Sequence, residues 1–505
     1  MPMPEKYLKK ILTSHVYDVA IETPLEFASL MSKRLENRIW LKREDEQPVF
    51  SFKLRGAYNK MAGLSREELK KGIVASSAGN HAQGVALAAA RLKIKATIVM
   101  PRTTPEIKVN AVKGFGARVV LHGDNYDAAF EHAMELVNRL GMTFIPPFDD
   151  PEVIAGQGTI GFEILKQHPD PIDAVFVPVG GGGLIGGIGA YIKSVRPEIR
   201  VIGVEPEDAD AMARSLASGR RVLLDHVNIF ADGVAVRQVG KETFRLAKKV
   251  VDEIIVVSND EICAAMKDLF EDRRSILEPA GALAMAGAKA WLAKKKYKNR
   301  NYVVLASGAN VNFDRLRHVS ERAEIGERRE AILAVTIPEK PGSFRKFCAV
   351  IGNHGITEFN YRFADPAQAH IFVGVQISGQ QEEKRLIAKL RKSGYKTLDM
   401  TDNEMAKLHI RHLVGGHAPA AEHEILYRFM FPERPGALMN FLNKMGGKWN
   451  ISLFHYRNHG ADFGRVLVGM QVPPTEKKEF EQFLRQLGYE YAEETANPAY
   501  KLFLS

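Results

Sequence analysis

Cysteine is scarce in this chain: only Cys263 and Cys348 occur among 505 residues. Two cysteines cannot build a disulfide framework or a cysteine-based zinc site, so both of those classes of protein are excluded. Such sparse use of cysteine is typical of proteins from a reducing compartment. The composition therefore predicts a cytoplasmic protein.

Long apolar segments are missing as well. Residues 174–192 carry no charge, but they contain seven glycines and Pro178, which would make a poor membrane helix. The first ten residues have no apolar segment after their charges, which predicts that the chain carries no secretory signal. We therefore expect no membrane partner.

Charge of one sign is in small excess. The chain has 70 Lys+Arg against 60 Asp+Glu, a net charge of +10, and its densest basic run is 294–298. An excess this small, spread over the chain, predicts no nucleic acid partner. The hydrophobic fraction of 45% and the charged fraction of 26% exclude wholesale disorder. The length predicts about three domains.

Up to about Ser320, short apolar runs alternate with helical patterns. Buried strands separated by helices predict an α/β fold with parallel sheets covered on both faces. The eight strand-like runs are 72–76, 95–100, 117–122, 142–146, 173–179, 200–205, 252–257 and 301–306.

Beyond a charged stretch at 321–329 lies an internal repeat. Residues 337–344 match 431–438 and residues 358–362 match 453–457, at offsets of 94 or 95 residues. Each copy continues with a β run, a charged helix and a Gly-Tyr pair, an order that fits a ferredoxin-like unit. Two such units can pair their sheets. The predicted domains are 1–325, 330–403 and 425–497.

Lys53 stands between two apolar neighbours, Phe52 and Leu54. A surface lysine lying over apolar groups is one interpretation. The other is a lysine that forms a Schiff base, because partial burial and a nearby Arg55 would both lower its pKa. The motif alone leaves the two interpretations open.

The segment 76–84, Ser-Ser-Ala-Gly-Asn-His-Ala-Gln-Gly, joins a strand-like run to a helix. Small residues at such a turn expose backbone N–H groups at a helix N-terminus, where an anion is favoured. The alternative is an ordinary turn in which Asn80 is only the N-cap.

Four consecutive glycines, Gly180, Gly181, Gly182 and Gly183, precede Leu184 between a strand-like run and an amphipathic helix. Their backbone can wrap a phosphate with the N–H groups pointing inward. The sequence is neither a Walker A motif nor a dinucleotide GxGxxG.

Ser307 follows the strand-like run 301–306, at the end where open α/β sheets bind ligands. Together, a buried lysine, an anion-binding turn, a phosphate loop and a strand-end serine suit a ligand with an aldehyde, a phosphate and a pyridine ring. We therefore predict pyridoxal 5′-phosphate as cofactor.

Six motifs closely resemble the biosynthetic threonine dehydratases, of the tryptophan-synthase-β-like (fold type II) pyridoxal-phosphate enzymes. They are SFKLRGA (51–57), SAGNHAQGVA (77–86), AGQGT (155–159), VPVGGGGL (177–184), EPAGA (278–282) and SGANVNF (307–313). The repeats resemble the paired ACT-like regulatory domains of those enzymes at 357–363 and 450–457. The resemblance implies two open α/β subdomains followed by two ferredoxin-like ACT-like units.

The resemblance also implies roles for individual residues. Lys53 would form the Schiff base and act as catalytic base, and Ser307 would face the pyridine nitrogen. The other implied cofactor contacts are Phe52, Asn80, Gly180, Gly181, Gly182, Gly183 and Leu184. The implied substrate contacts are Ser77, Gly79, Asn80 and His81.

The implied reaction is the conversion of L-threonine, with L-serine as a second substrate, to a 2-oxoacid and ammonia in isoleucine synthesis. The implied effectors are isoleucine and valine, bound near Tyr361 and Tyr456, in a homotetramer. Two alternatives stay open: a racemase or serine-directed lyase of the same fold, and an inactive amino-acid sensor. We predict no metal site, although a cation near Glu205 or Glu278 is an open question.

Overall fold

The structure is a computed structural model that describes residues 3–228, 230–313, 315–408, 410–432, 436–457 and 463–504. The chain forms two compact units, Met1–Gly326 and Glu327–Ser505. None of the helices in these ranges is both long enough and apolar enough to cross a membrane.

The first unit is built on two sheets. Its strands are β1 (Leu25–Phe27), β2 (Arg38–Arg43), β3 (Ile73–Ser76), β4 (Ala96–Met100), β5 (Arg118–Leu121), β6 (Thr143–Phe144), β7 (Ala174–Pro178), β8 (Arg200–Pro206), β9 (Glu253–Val257) and β10 (Asn301–Ala306). One sheet has the order β1-β2-β10-β7-β8-β9 and the other the order β5-β4-β3-β6.

All eight strand-like runs form strands, and all of these pair in parallel, as predicted. Two further strands, β1 and β2, were not predicted. β2 runs parallel to β10, but β1 pairs with β2 antiparallel, so the expectation of purely parallel sheets is wrong at this edge. Charged residues interrupt β2 at Arg38, Lys42 and Arg43, which hides its strand character.

Helices cover both faces of these sheets. They are α1 (Met3–Leu12), α2 (Ser29–Leu35), α3 (Lys53–Ala62), α4 (Arg66–Lys71), α5 (Asn80–Leu92), α6 (Glu106–Gly114), α7 (Tyr126–Leu140), α8 (Pro151–Gln167), α9 (Gly183–Val195), α10 (Ala211–Ser218), α11 (Lys241–Val250), α12 (Asn259–Arg273), α13 (Pro279–Lys295) and α14 (Arg315–Gly326), with 3₁₀ turns at Val16–Asp18 and Glu44–Glu46. In β7, Phe176 packs into one hydrophobic core while Val175 and Val177 pack into another. The six-stranded sheet is therefore buried on both faces, as the apolar runs predict.

The second unit contains the two repeats. The first is β11 (Glu330–Pro338), α15 (Ser343–Ile351), β12 (Ile356–Arg362), β13 (Gln368–Gln376), α16 (Gln380–Lys392) and β14 (Lys396–Asp399). After α17 (Glu404–Leu408) and a 3₁₀ turn at Ile410–His412, the second is β15 (Glu424–Pro432), α18 (Ala437–Met445), β16 (Asn450–Arg457), β17 (Phe463–Gln471), a 3₁₀ turn at Pro474–Glu476, α19 (Lys477–Leu487) and β18 (Glu490–Glu493), followed by α20 (Pro498–Phe503).

Each repeat has the predicted ferredoxin-like order, and the two join edge to edge. β12 pairs antiparallel with β16, with Phe359 opposite Tyr456 and Tyr361 opposite Phe454. The result is one eight-stranded sheet of order β14-β11-β13-β12-β16-β17-β15-β18. A single hydrophobic core runs through both repeats, so the two fold as one body.

Candidate active site

A pocket in the first unit gathers residues from motifs that are far apart in sequence. It is lined by Phe52, Lys53, Asn80, Pro147, Phe148, Gln157, Pro178, Gly180, Gly181, Gly182, Gly183, Leu184, Gly233, Val234, Glu278, Ala280 and Ser307. All the residues predicted to contact the cofactor are in this set. Three residues predicted to contact the substrate, Ser77, Gly79 and His81, are not.

Lys53 is the first residue of α3 and reaches into the pocket. Its Nζ donates a hydrogen bond to the carbonyl oxygen of Pro147 at 3.0 Å and lies 5.4 Å from the centre of the Phe52 ring. Burial lowers the pKa of Lys53 to about 8, although the carboxylate of Glu278 acts in the opposite direction. About a tenth of this amine is therefore neutral, and so nucleophilic, at pH 7, far more than for an ordinary lysine.

Arg55 does not contribute to that shift, contrary to the prediction from sequence. Its guanidinium is fully buried and bonds bidentately to Glu44, at 2.8 and 2.8 Å, and to Glu163, at 2.6 and 3.0 Å. Lys42 Nζ lies 2.6 Å from the Glu163 carboxylate, and it is also fully buried. Two cations and two anions thus neutralise one another inside the protein, and we call these four residues the Arg55 cluster.

At the turn before α5, the interpretation in which Asn80 caps the helix is not borne out, because the helix begins one residue earlier. The N-cap is Gly79, not Asn80, and no side chain caps this helix end. The Ser77 hydroxyl accepts a hydrogen bond from the Gly79 N–H at 3.2 Å. The N-terminal N–H groups of α5 are therefore left to bind an anion, as the small residues predict.

His81 turns away from the pocket. Its Nε2 is 2.9 Å from the carbonyl oxygen of Ile145, so Nε2 carries the proton. Burial, and then the charge of Lys53, lower the pKa of His81 to about 3, so the ring is neutral at physiological pH. His81 can therefore contribute its backbone N–H, but not its ring, to the anion site at the start of α5.

The glycine loop ends at a second uncapped helix. Gly182 is the N-cap of α9 with φ of +92°, a conformation that favours glycine, and no side chain caps the helix. A Cβ on Gly181 would lie 2.3 Å from the ring of Phe148. Gly181 is therefore required by packing against Phe148, which sequence alone did not predict, and Gly182 by its backbone conformation.

Ser307 comes directly after β10, and its buried hydroxyl donates to the carbonyl oxygen of Ala280 at 3.2 Å. Its own carbonyl oxygen accepts from the N–H of Phe52 at 3.4 Å. This places a neutral hydroxyl on the wall of the pocket and connects that wall to the residue before Lys53.

Reasoning from sequence assigned no role at this site to two polar residues that belong to it, Glu278 and Asn310. Glu278 lines the pocket, and its carboxylate accepts from Asn80 Nδ2 at 2.5 Å. Burial, and then Asp232, raise the pKa of Glu278 to about 7, while Asn80 lowers it. Asn310 donates to Asn80 at 2.7 Å. Both residues lie in motifs of the resemblance, but nothing in their spacing shows that they meet.

The pocket fits pyridoxal phosphate by the chemistry of its groups. It combines a partly neutral lysine amine for an aldehyde, an uncapped helix end for a phosphate and a neutral hydroxyl for a ring nitrogen. For metals, the residues described in the structure include no group of three or more His, Cys, Asp or Glu side chains able to hold an ion. The Glu205 carboxylate accepts from the N–H groups of Met212 and Ala213, at 2.9 and 2.8 Å.

The second unit contains the predicted effector residues. The Tyr361 hydroxyl donates to Glu339, which also accepts from Asn450 Nδ2 of the other repeat at 2.9 Å. Both Tyr361 and Tyr456 are buried. Residues 433–435, within the matched range 431–438 of the second repeat, lie outside the described residues.

Comparison with known families agrees with the motifs. The family described as "Pyridoxal-phosphate dependent enzyme" matches residues 16–308. The "C-terminal regulatory domain of Threonine dehydratase" matches twice, at residues 321–410 and 416–504.

Individual relatives agree over the full length. The chain is 58% identical over 502 residues to a biosynthetic L-threonine dehydratase of Burkholderia multivorans, covering 99% of each chain. Among solved structures, the processed threonine deaminase isoform 2 of Solanum lycopersicum matches with a TM-score of 0.63 and 55% identity, covering 64% of this chain and 88% of that one. A maize serine racemase matches with a TM-score of 0.58 and 31% identity, covering 62% of this chain and 96% of that one.

Proposed function

Because the chain belongs to the biosynthetic threonine dehydratases, a family of pyridoxal-phosphate-dependent enzymes, we propose that it deaminates L-threonine. Threonine loses water across Cα and Cβ, and the resulting enamine hydrolyses to 2-oxobutanoate and ammonia, the first step of isoleucine synthesis. The observation that carries the proposal is the enclosed, partly neutral Lys53 amine in one pocket with the uncapped start of α9.

In this proposal Lys53, Phe52, Asn80, Ser307 and the loop 180–184 hold the cofactor. Bound pyridoxal phosphate supplies an electron sink for negative charge at the substrate Cα. The N–H groups at the start of α9 bind the phosphate, because a helix N-terminus favours an anion. The Ser307 hydroxyl would serve the ring nitrogen as a neutral partner, which would leave that nitrogen uncharged.

Lys53 Nζ acts as the general base that takes the proton from Cα. A base needs its neutral form, and burial provides it by lowering the pKa of Lys53 to about 8. The substrate carboxylate binds at the start of α5, where Ser77, Gly79, Asn80 and the backbone of His81 surround open N–H groups.

The test is an assay of 2-oxoacid release from threonine and from serine by the purified full-length protein. We expect a visible Schiff-base absorbance and turnover of both substrates, with threonine preferred. Release from serine alone, or interconversion of serine enantiomers without 2-oxoacid, would favour the serine-directed alternative, which the similarity to a serine racemase motivates. A colourless protein without turnover would favour the sensor.

We further propose that isoleucine inhibits through the repeats 330–403 and 425–497, that valine opposes it, and that 1–325 is the catalytic domain. Isoleucine must then bind a low-activity conformation more tightly than the active one, and a tenfold preference is worth about 1.4 kcal/mol per site. Tyr361 and Tyr456, on the two strands that join the repeats, are the proposed effector contacts.

Ending the chain after Arg329 tests this regulation. Threonine turnover should persist and isoleucine inhibition should disappear, while Tyr361→Ala or Tyr456→Ala should raise the isoleucine concentration needed. Equal inhibition of the shortened enzyme would place the effector in the catalytic unit instead. We also propose a cytoplasmic homotetramer, which sedimentation of the purified protein and fractionation of cells would test.

A further inference from the structure

Both ends of the Asn80 side-chain amide are hydrogen-bonded to residues from two other parts of the first unit. Its Nδ2 donates to Glu278 Oε1 at 2.5 Å, and its Oδ1 accepts from Asn310 Nδ2 at 2.7 Å. Asn80 begins α5 beside the four-stranded sheet. Glu278 precedes α13 and Asn310 follows β10, both beside the six-stranded sheet. The Asn80 amide therefore links the two halves of the unit.

The hydrogen-bond chain fixes which end of the amide points where. Asn310 Nδ2 also donates to the carbonyl oxygen of Val49 at 2.8 Å. A backbone carbonyl can only accept, so Asn310 must present its NH₂ group there, and that group also reaches Asn80. Asn80 must then turn its oxygen to Asn310 and its NH₂ group to the carboxylate of Glu278.

The surrounding backbone leaves just enough room for this contact. A Cβ on Gly308 would lie 2.5 Å from Glu278 Oε1 and 3.3 Å from Asn80 Nδ2. The N–H of Glu278 in turn donates to the carbonyl oxygen of Gly308 at 3.1 Å. Glu278 is 4% exposed and lines the pocket, so its carboxylate is held in place and is not a mobile surface group.

We propose that Glu278 and Asn310 are positioning residues that hold the Asn80 amide so that the second hydrogen of its Nδ2 points at the ring oxygen of the bound cofactor. Nδ2 carries two hydrogens, and Glu278 accepts only one of them. The inference rests on the proposed function, because it assumes that Asn80 contacts the cofactor. In this positioning role Glu278 and Asn310 act through Asn80, and Glu278 separately raises the pKa of Lys53 by its charge.

Matched substitutions separate positioning from simple space filling. Glu278→Gln keeps an acceptor oxygen for Asn80, whereas Glu278→Met keeps the bulk and removes the acceptor. Asn310→Asp keeps the shape but replaces the donor by an acceptor, which would face two other oxygens. The Asn80 oxygen would then lose its donor and face a second oxygen, so the amide would no longer be held in this orientation.

The measurement is cofactor affinity of the full-length holoenzyme, diluted into graded concentrations of pyridoxal phosphate and followed by its visible Schiff-base band. We expect Glu278→Met and Asn310→Asp to weaken binding about tenfold or more, and Glu278→Gln to stay within about threefold. In an Asn80→Ala background, Asn310→Asp should weaken it by less than about twofold, because the residue it positions is gone. Thermal unfolding of each holoenzyme at saturating cofactor checks that the fold survives.

Three results would overturn the inference or its premise, and they differ. If Asn310→Asp weakens cofactor binding equally with and without Asn80, Asn310 does not act through Asn80. If Glu278→Met binds the cofactor as the parent does, Glu278 positions nothing. If Asn80→Ala leaves the affinity and the visible band unchanged, its cofactor role is wrong, and threonine turnover, assayed separately, decides whether the proposed function survives.

Discussion

Lys53 and Arg55 stand two residues apart on the same buried helix, and their surroundings are opposite. Arg55 bonds to two carboxylates of its own cluster, which raise its pKa although burial opposes them. Lys53 is bonded to a neutral carbonyl oxygen, and burial lowers its pKa to about 8. A buried cation with matched anions stays charged and holds the structure together, whereas one without a bonded anion loses its proton more easily and becomes more reactive.

Of the substitutions that test this difference between Lys53 and Arg55, removal of the Lys53 amine should have the largest effect, and that effect should be on turnover. Lys53→Ala should lower kcat for threonine by more than about 10³-fold, because it removes the base. Its free energy of unfolding should not fall, because the side chain has no ionic partner to leave behind. Steady-state kinetics and urea unfolding measure the two, with the isosteric Lys53→Met as control. Substantial turnover in either variant would contradict the role of Lys53.

The converse effect should follow at Arg55. Arg55→Met should lower the free energy of unfolding by about 3–5 kcal/mol, because it leaves Glu44 and Glu163 buried without their main partner. Urea unfolding of the holoenzyme measures this, and Lys298→Ala, on an exposed ion pair with Glu36, is the control that should change nothing measurable. If Arg55→Met unfolds like the parent, the cluster is not what stabilises this helix.

A smaller effect is expected on the pH dependence of the Lys53 amine, and it tests the electrostatic part of the comparison with Arg55. Only a neutral amine reacts with an aldehyde, so capture of pyridoxal phosphate by cofactor-free protein should speed up as pH rises through about 8. The Glu278 carboxylate, itself ionised above about pH 7, raises the pKa of Lys53. Glu278→Gln should therefore move the midpoint of this profile to lower pH.

Stopped-flow absorbance of the Schiff-base band between pH 6 and 10 gives the profile. Asp232→Asn is the matched control, because Asp232 acts on Glu278 and is not among the groups that shift Lys53. A midpoint that stays in place in Glu278→Gln would mean that Glu278 does not act on the amine.

The smallest effect concerns a neutral partner of the Arg55 cluster. The Thr159 hydroxyl accepts from Arg55 Nη1 at 3.0 Å. Thr159→Val keeps the shape, leaves both carboxylates paired with Arg55 and should cost about 1 kcal/mol of stability with kcat unchanged. A loss as large as that of Arg55→Met would show that hydrogen bonding, and not charge pairing, dominates the cluster.

Much of this architecture could be predicted because it depends on local sequence patterns, namely apolar runs and the spacing of the repeat. The eight apolar runs form strands, and the spacing of the repeat gives two ferredoxin-like units. β2 was missed because Lys42 carries a charge, and that charge is neutralised by Glu163, more than a hundred residues away. A partner so distant in sequence leaves no local signal.

The site shows the same limit. The sequence brought four motifs together as one site, and they do line one pocket, but the effect assigned to Arg55 was wrong for a reason available in advance. Residues at i and i+2 of a helix do not face each other, so Arg55 points away from Lys53. The hydrogen bonds of Glu278 and Asn310 to Asn80 could not be predicted, because they join three segments that meet only in the folded chain.

The pairing of β12 with β16 also restricts how this chain can be shortened. A cut between the two repeats would leave β12 as an exposed edge strand. Its unpaired backbone N–H and C=O groups could then pair with a strand of another chain. The cut would also remove Phe454, whose ring packs against the rings of Phe344 and Phe359 in the first repeat. Half of the regulatory unit should therefore aggregate or dimerise through β12. Shortened forms of this enzyme, natural or engineered, should lose both repeats together or neither.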